Sequence, residues 1–172
     1  ADKFFKTLNA FNKQLLEENN RFFFVADPVK VSIGSAPIVK SELLLHPDHP
    51  KRGVRVLESS GDFYLPKSDL VDGSFRLVDC LNFSKKGEVC SFDSLSIGDF
   101  DKSKGKIIHW LPVQDDLVDV EVLMPDNSLV TGLAEPGVKD LKVGSVIQFE
   151  RFGFCRLDEV KGNKLVFWFG HR

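Results

Sequence analysis

The chain has 172 residues, 42% of them hydrophobic, and a formal net charge of −2. It is long enough to bury one core or two small ones and too apolar to stay disordered. The charge balance excludes capture of a polyanion by bulk attraction, so a nucleic-acid partner would have to be held by a few placed Arg and Lys, with base contacts adding specificity.

The first predicted element is a helix: Phe4, Phe5, Leu8, Phe11, Leu15 and Leu16 recur at three- and four-residue spacing until Glu17-Glu18-Asn19-Asn20 ends the pattern. The period then changes to two. Phe22 to Val25 is a short apolar run, Asp27-Pro28 breaks it, and Val29, Val31 and Ile33 alternate with polar residues. Further strands are expected at Val54 to Leu57, Asp62 to Leu65, Phe75 to Phe83, Lys106 to Leu111, Val118 to Met124, Ser145 to Phe152, Phe154 to Glu159 and Leu165 to Phe169. Turn chemistry separates them at Asp72-Gly73, Lys86-Gly87, Pro125-Asp126-Asn127 and Lys161-Gly162-Asn163. Many short strands with one helix give an all-β chain, and two small packed barrels fit better than one sandwich because the polar stretch from Ser91 to Gly105 interrupts the pattern. The expected division is a helical segment over 1–20 and a two-barrel region over 21–172, with a break near 91–106.

Apolar runs stay short of the roughly eighteen residues of a membrane helix, and no basic segment leads into an apolar core at the start, so a soluble, cytoplasmic chain without membrane contact is expected. The opening Ala1 and the single Met124 fit a piece of a longer polypeptide, and removal of an initial Met before Ala would look the same. Cys80, Cys90 and Cys155 are odd in number and lack Cys-x-x-Cys spacing, which argues against both a disulfide framework and a zinc site.

Enzyme chemistry finds little support. His46 and His49 have a spacing that can chelate a metal, but flanking prolines hold the segment extended and no third ligand is near in sequence; a rigid loop with imidazoles bonded to backbone is the expectation. His109 beside Trp110 reads as a hydrogen-bonded core histidine rather than a base. There is no nucleophile elbow, Walker loop or dinucleotide fingerprint, and the carboxylate pairs Glu17-Glu18 and Asp115-Asp116 sit in polar stretches. No catalytic and no metal-binding residue is assigned. Recognition remains: Arg21 before a Phe-rich strand, Arg76 between Phe75 and Leu77, and Gln148 with Arg151 around Phe149 offer planar donors beside aromatic surface. The alternative for each Arg is a structural pair with a carboxylate.

Four motifs in one order carry a resemblance. They are Asn20-Arg21-Phe22-Phe23-Phe24-Val25-Ala26-Asp27-Pro28-Val29; Leu45-His46-Pro47-Asp48-His49-Pro50 with Gly53 and Arg55; Lys106-Ile107-Ile108-His109-Trp110; and Gly132-Leu133-Ala134-Glu135-Pro136 through Gln148-Phe149-Glu150-Arg151. From about Asn12 onward the chain resembles the anticodon-binding region of class I glutamyl- and glutaminyl-tRNA synthetases, and most closely the glutamyl enzyme of archaeal type. The resemblance implies two packed β-barrels that clamp the anticodon loop, with Arg21, Gln148 and Arg151 forming the pocket of the middle anticodon base, a uridine, and Arg76 reading the third base. It implies a monomer that binds glutamate tRNA and works with a catalytic domain of the same polypeptide. The parent would be a glutamate–tRNA ligase using ATP and magnesium, whereas these residues alone, lacking the adenylate-forming signatures, should need no cofactor and be inactive. Alternatives are a non-catalytic RNA-binding barrel like the ribosomal proteins that bind 5S rRNA, the same region of a glutaminyl enzyme, and a protein-interaction barrel.

Overall fold

A computed structural model describes residues 19–172, so the helix expected between Phe4 and Leu16 lies outside the described residues. Sixteen strands follow one another: β1 (Arg21–Phe22), β2 (Phe24–Ala26), β3 (Pro28–Gly34), β4 (Val39–Leu44), β5 (Val54–Ser59), β6 (Asp62–Pro66), β7 (Gly73–Leu77), β8 (Asn82–Lys86), β9 (Val89–Ser94), β10 (Lys106–Ile108), β11 (Leu111–Pro112), β12 (Val118–Leu123), β13 (Leu129–Ala134), β14 (Val146–Phe149), β15 (Gly153–Lys161) and β16 (Lys164–His171). The helical pieces among the described residues are short 3-10 turns. The protein is therefore mainly β, as its composition implies.

One seven-stranded sheet has the order β10-β7-β8-β9-β3-β6-β11, and the β4-β5 hairpin packs its Leu43 and Leu57 into the same core. The second sheet has the order β1-β14-β15-β16-β12-β13-β2. Its two edge strands, β1 and β2, are consecutive in the chain, separated by Phe23 alone. The segment 21–26 thus joins both edges of the sheet and closes it into a barrel, which removes the exposed edges that would otherwise invite aggregation.

That closing segment serves two cores at once. Phe22 and Phe24 point into the second core, with Val118, Val120, Phe149, Leu157 and Phe167, while Phe23 and Val25 point the other way, into the first core with Phe63, Leu65, Leu77 and Trp110. Successive strand residues face opposite sides, and here each side has its own interior. An uninterrupted Phe-Phe-Phe-Val run is what such a position requires.

Close approach of the closing segment depends on Gly132. It pairs with Ala26 across β13 and β2, and a Cβ there would collide with the Val25 carbonyl. Backbone cannot yield as a side-chain tip can, so only glycine allows the two strands to meet.

Some elements differ from expectation. The run from Phe75 to Phe83 is two strands, β7 and β8, because the chain turns tightly through Val78 to Leu81 with Asp79 at φ 53°. β4, β9 and β13 lie outside the strands expected from the sequence. Ile108, Trp110 and Leu111, downstream of the 91–106 stretch, lie in the first core, and the second core resumes at Val118.

Candidate nucleic-acid interface

The site is built where the closing segment meets the end of β14. Arg21 and Gln148 are partners in the parallel register of β1 and β14, so their side chains leave the same face of the sheet. The main chain is locked there: Arg21 N donates to the Leu45 carbonyl at 2.8 Å, Gln148 N to the Asn20 carbonyl at 2.9 Å and Glu150 N to the Phe22 carbonyl at 3.0 Å. Residues more than a hundred positions apart are held side by side.

Next to them lies a cavity of about 480 Å³ lined by Arg21, Arg55, Arg76, Glu42, Asp79 and Glu150, among others. Arg76 reaches it from β7 and is 7% exposed, with Nη1 donating to Asn82 Oδ1 at 2.8 Å and to the Leu95 carbonyl at 3.0 Å. Burial pushes the Glu150 carboxyl up, against the pull of Arg55 and Arg21. Neither Gln148 nor Arg151 lines this cavity.

Arg151 sits in the tight turn after β14 at φ 62° and points elsewhere. Its Nη1 and Nη2 bond both oxygens of Asp69, at 2.9 and 3.0 Å, and Nη1 lies 3.1 Å from Nδ1 of His109. Lys106 adds a contact to Asp69 at 2.6 Å. Arg151 belongs to the second barrel, and Asp69, His109 and Lys106 to the first, so in the free chain this cluster ties the barrels together. His109 is 7% exposed, and burial together with Arg151 pulls its ring down to about 4, so it is neutral at pH 7 with Nδ1 accepting from Arg151. It is a core histidine, as its sequence context suggests.

Burial acts to raise the Asp69 carboxyl, yet Arg151 and Lys106 outweigh it and hold the group at about 2. A folded value below the ordinary one means a contribution to stability that is present above pH 4 and lost as the pH falls through 2. After discount for the partly exposed Lys106 and Arg151, it should amount to about 1–2 kcal/mol. Asp69→Asn should therefore lower stability at pH 6 and shrink its loss between pH 4 and 2, a difference readable from urea unfolding at each pH.

A second charged cluster was not singled out in the sequence. Glu135, at the end of β13 and 1% exposed, accepts from Phe23 N and from Arg55 Nε, each at 2.7 Å. Arg55 also donates from Nη1 to the Leu44 carbonyl at 2.7 Å, and its guanidinium carbon stands 4.9 Å from the centre of the Phe23 ring. Both residues occur in the quoted motifs, but their meeting across eighty positions has no local signal.

His46 and His49 are ring neighbours 4.7 Å apart, and His46 Nδ1 accepts from Asp48 N. Among the described residues no group of three or more His, Cys, Asp or Glu is arranged to hold a metal. The cysteines are free and buried. No helix among these residues is long and apolar enough to cross a membrane.

Two seven-stranded β-structures, with segment 21–26 sending side chains into both cores and arginines from distant segments lining the cavity beside it, form a surface suited to reading RNA. Comparison with known proteins agrees: residues 107–158 match the family model of class I (E and Q) tRNA synthetases, anticodon-binding domain. Over 170 residues it is 44% identical to the glutamate–tRNA ligase of Methanobrevibacter smithii, which covers 97% of this chain and 30% of that protein. The glutamate–tRNA ligases of Methanothermobacter thermautotrophicus, 42% identical over 169 residues, and Methanocaldococcus jannaschii, 38% over 173, are similar across 97% of the chain. The chain spans about 30% of the length of these relatives.

Proposed function

We propose that this chain reads the anticodon of glutamate tRNA as part of a cytoplasmic, monomeric glutamate–tRNA ligase. The adenylate chemistry, with ATP and magnesium, would belong to a catalytic domain of the parent outside these residues. In this reading 21–172 is the two-barrel unit, Arg21 and Gln148 receive the middle base, Arg76 reaches toward the third, and Arg151 exchanges Asp69 for RNA or steadies the turn that presents Gln148. Uracil offers two carbonyl acceptors and one imino donor, which Arg donors and the Gln148 amide satisfy together.

The observation that carries the reading is the register pairing of Arg21 with Gln148 beside a cavity shared by Arg21 and Arg76. The net charge of −2 further favours base contacts over phosphate gripping. Arg21→Ala should weaken binding to an anticodon stem-loop with the middle uridine by 10- to 100-fold, about 1–3 kcal/mol, with little loss for stem-loops that already carry another middle base. An equal loss on every sequence would mean phosphate contact, the behaviour of a generic RNA-binding barrel.

A further inference from the structure

Arg21 and Arg55 both line the cavity between the barrels, and each has one guanidinium nitrogen buried without an acceptor among the described residues: Nε of Arg21 and Nη2 of Arg55. Arg55 is the more constrained. The residue is 7% exposed, its Nε is committed to Glu135 and its Nη1 to the Leu44 carbonyl. A guanidinium is planar, so fixing two of its nitrogens fixes the direction of the third. A buried donor without a partner is a standing penalty that an incoming acceptor relieves.

The charges around the cavity narrow the acceptor. Arg21, Arg55 and Arg76 face Glu42, Asp79 and Glu150, and Glu135 stands behind Arg55. A phosphate entering such surroundings meets as many carboxylates as guanidiniums, whereas an uncharged carbonyl meets a directed donor without repulsion. Uracil and guanine carry a carbonyl where cytosine and adenine carry an amino group.

We propose that Arg55 is a further specificity-determining residue, whose Nη2 donates to a carbonyl oxygen on the edge of one anticodon base seated in this cavity, with Glu135 as the residue that positions it. The inference rests on the anticodon reading above. It adds a donor that acts at a single base, and predicts that replacing that base's carbonyl by an amino group is felt through Arg55.

The test measures binding of the 172-residue chain, unmodified and as Arg55→Lys, to stem-loops carrying single replacements at each anticodon position. Lysine keeps the charge and loses the fork. The unmodified chain should prefer the carbonyl-bearing base at one position by tenfold or more, and Arg55→Lys should erase that preference while those at the other two positions and the salt slope persist. A uniform loss at all three positions, or a shallower salt slope, overturns the proposal in favour of a structural or phosphate-binding role.

Because the substitution also disturbs the pair with Glu135, the arginine side-chain N–H signals of the unmodified chain supply a second measurement. The Arg55 signal should shift on adding a stem-loop with the carbonyl base and not with its amino counterpart; an unchanged signal overturns the proposal. An unmodified chain with no base preference removes the anticodon reading and this inference together. A discriminating chain whose pattern is the same in Arg55→Lys removes this inference alone.

Discussion

Replacing Glu135 with alanine is expected to destabilise the chain by about 3–5 kcal/mol, because it strands the buried Arg55 guanidinium without its counter-ion. It also removes the acceptor of Phe23 N at the point where the second barrel closes. Glu135→Gln should cost less, about 1–3 kcal/mol: one amide oxygen cannot serve both the Arg55 and Phe23 donors, and the NH2 group must face one of them. The pH dependence separates the two contributions. Burial pushes the Glu135 carboxyl up to about 7, against Arg55 and the Phe23 amide. A folded value above the ordinary one means stability that is fully present at acid pH and declines as the pH rises through 7, and Glu135→Gln should lack that decline. Urea unfolding between pH 5 and 8 measures it; parallel slopes in both proteins would show that Glu135 does not titrate in this range.

Phe23→Ala should have a comparable effect, about 3–5 kcal/mol, since it deletes a fully buried ring. The ring contacts Trp110 at 6.1 Å and carries the Arg55 guanidinium on its face. Phe24→Ala deletes a ring of the same size from the other core, where it meets Phe149 at 5.1 Å and Phe152 at 5.2 Å. The two substitutions therefore report on different barrels. Trp110 is buried in the first core and Trp168 is half exposed on the second, so Phe23→Ala should perturb the buried tryptophan's emission and Phe24→Ala should leave it near that of the unmodified chain. The same perturbation from both would mean that the segment does not divide its side chains between two interiors.

Much of this architecture can be read from the residues, with physically intelligible exceptions. Alternation of Val29, Val31 and Ile33 and the turn residues between later strands announce a β-fold. The Phe22-to-Val25 run is legible as a strand but not as a double wedge, because burial on both faces erases alternation and leaves only apolarity. Phe75 to Phe83 looks continuous because its turn contains no Gly or Pro; Asp79 takes the left-handed conformation instead. β4 hides because Ser41, an inward position, is polar.

At the candidate site, pattern alone offers Arg21, Arg76, Gln148 and Arg151 as isolated candidates, and the resemblance to a known family is what groups them. The free chain's geometry gathers them unequally: Arg21 with Gln148 on paired strands, Arg21 with Arg76 around a cavity, and Arg151 on Asp69 82 positions away. Arg55, Glu135 and Asp69 carry no local signal of their role, because their partners lie about eighty positions away in the chain.

The most direct test is binding of the chain to the anticodon stem-loop of glutamate tRNA and to variants differing only in the middle base, at one fixed near-physiological salt concentration. The expected result is a preference for the middle uridine of at least tenfold, about 1.4 kcal/mol, that disappears in Arg21→Ala. Equal affinity for all middle bases would contradict the account.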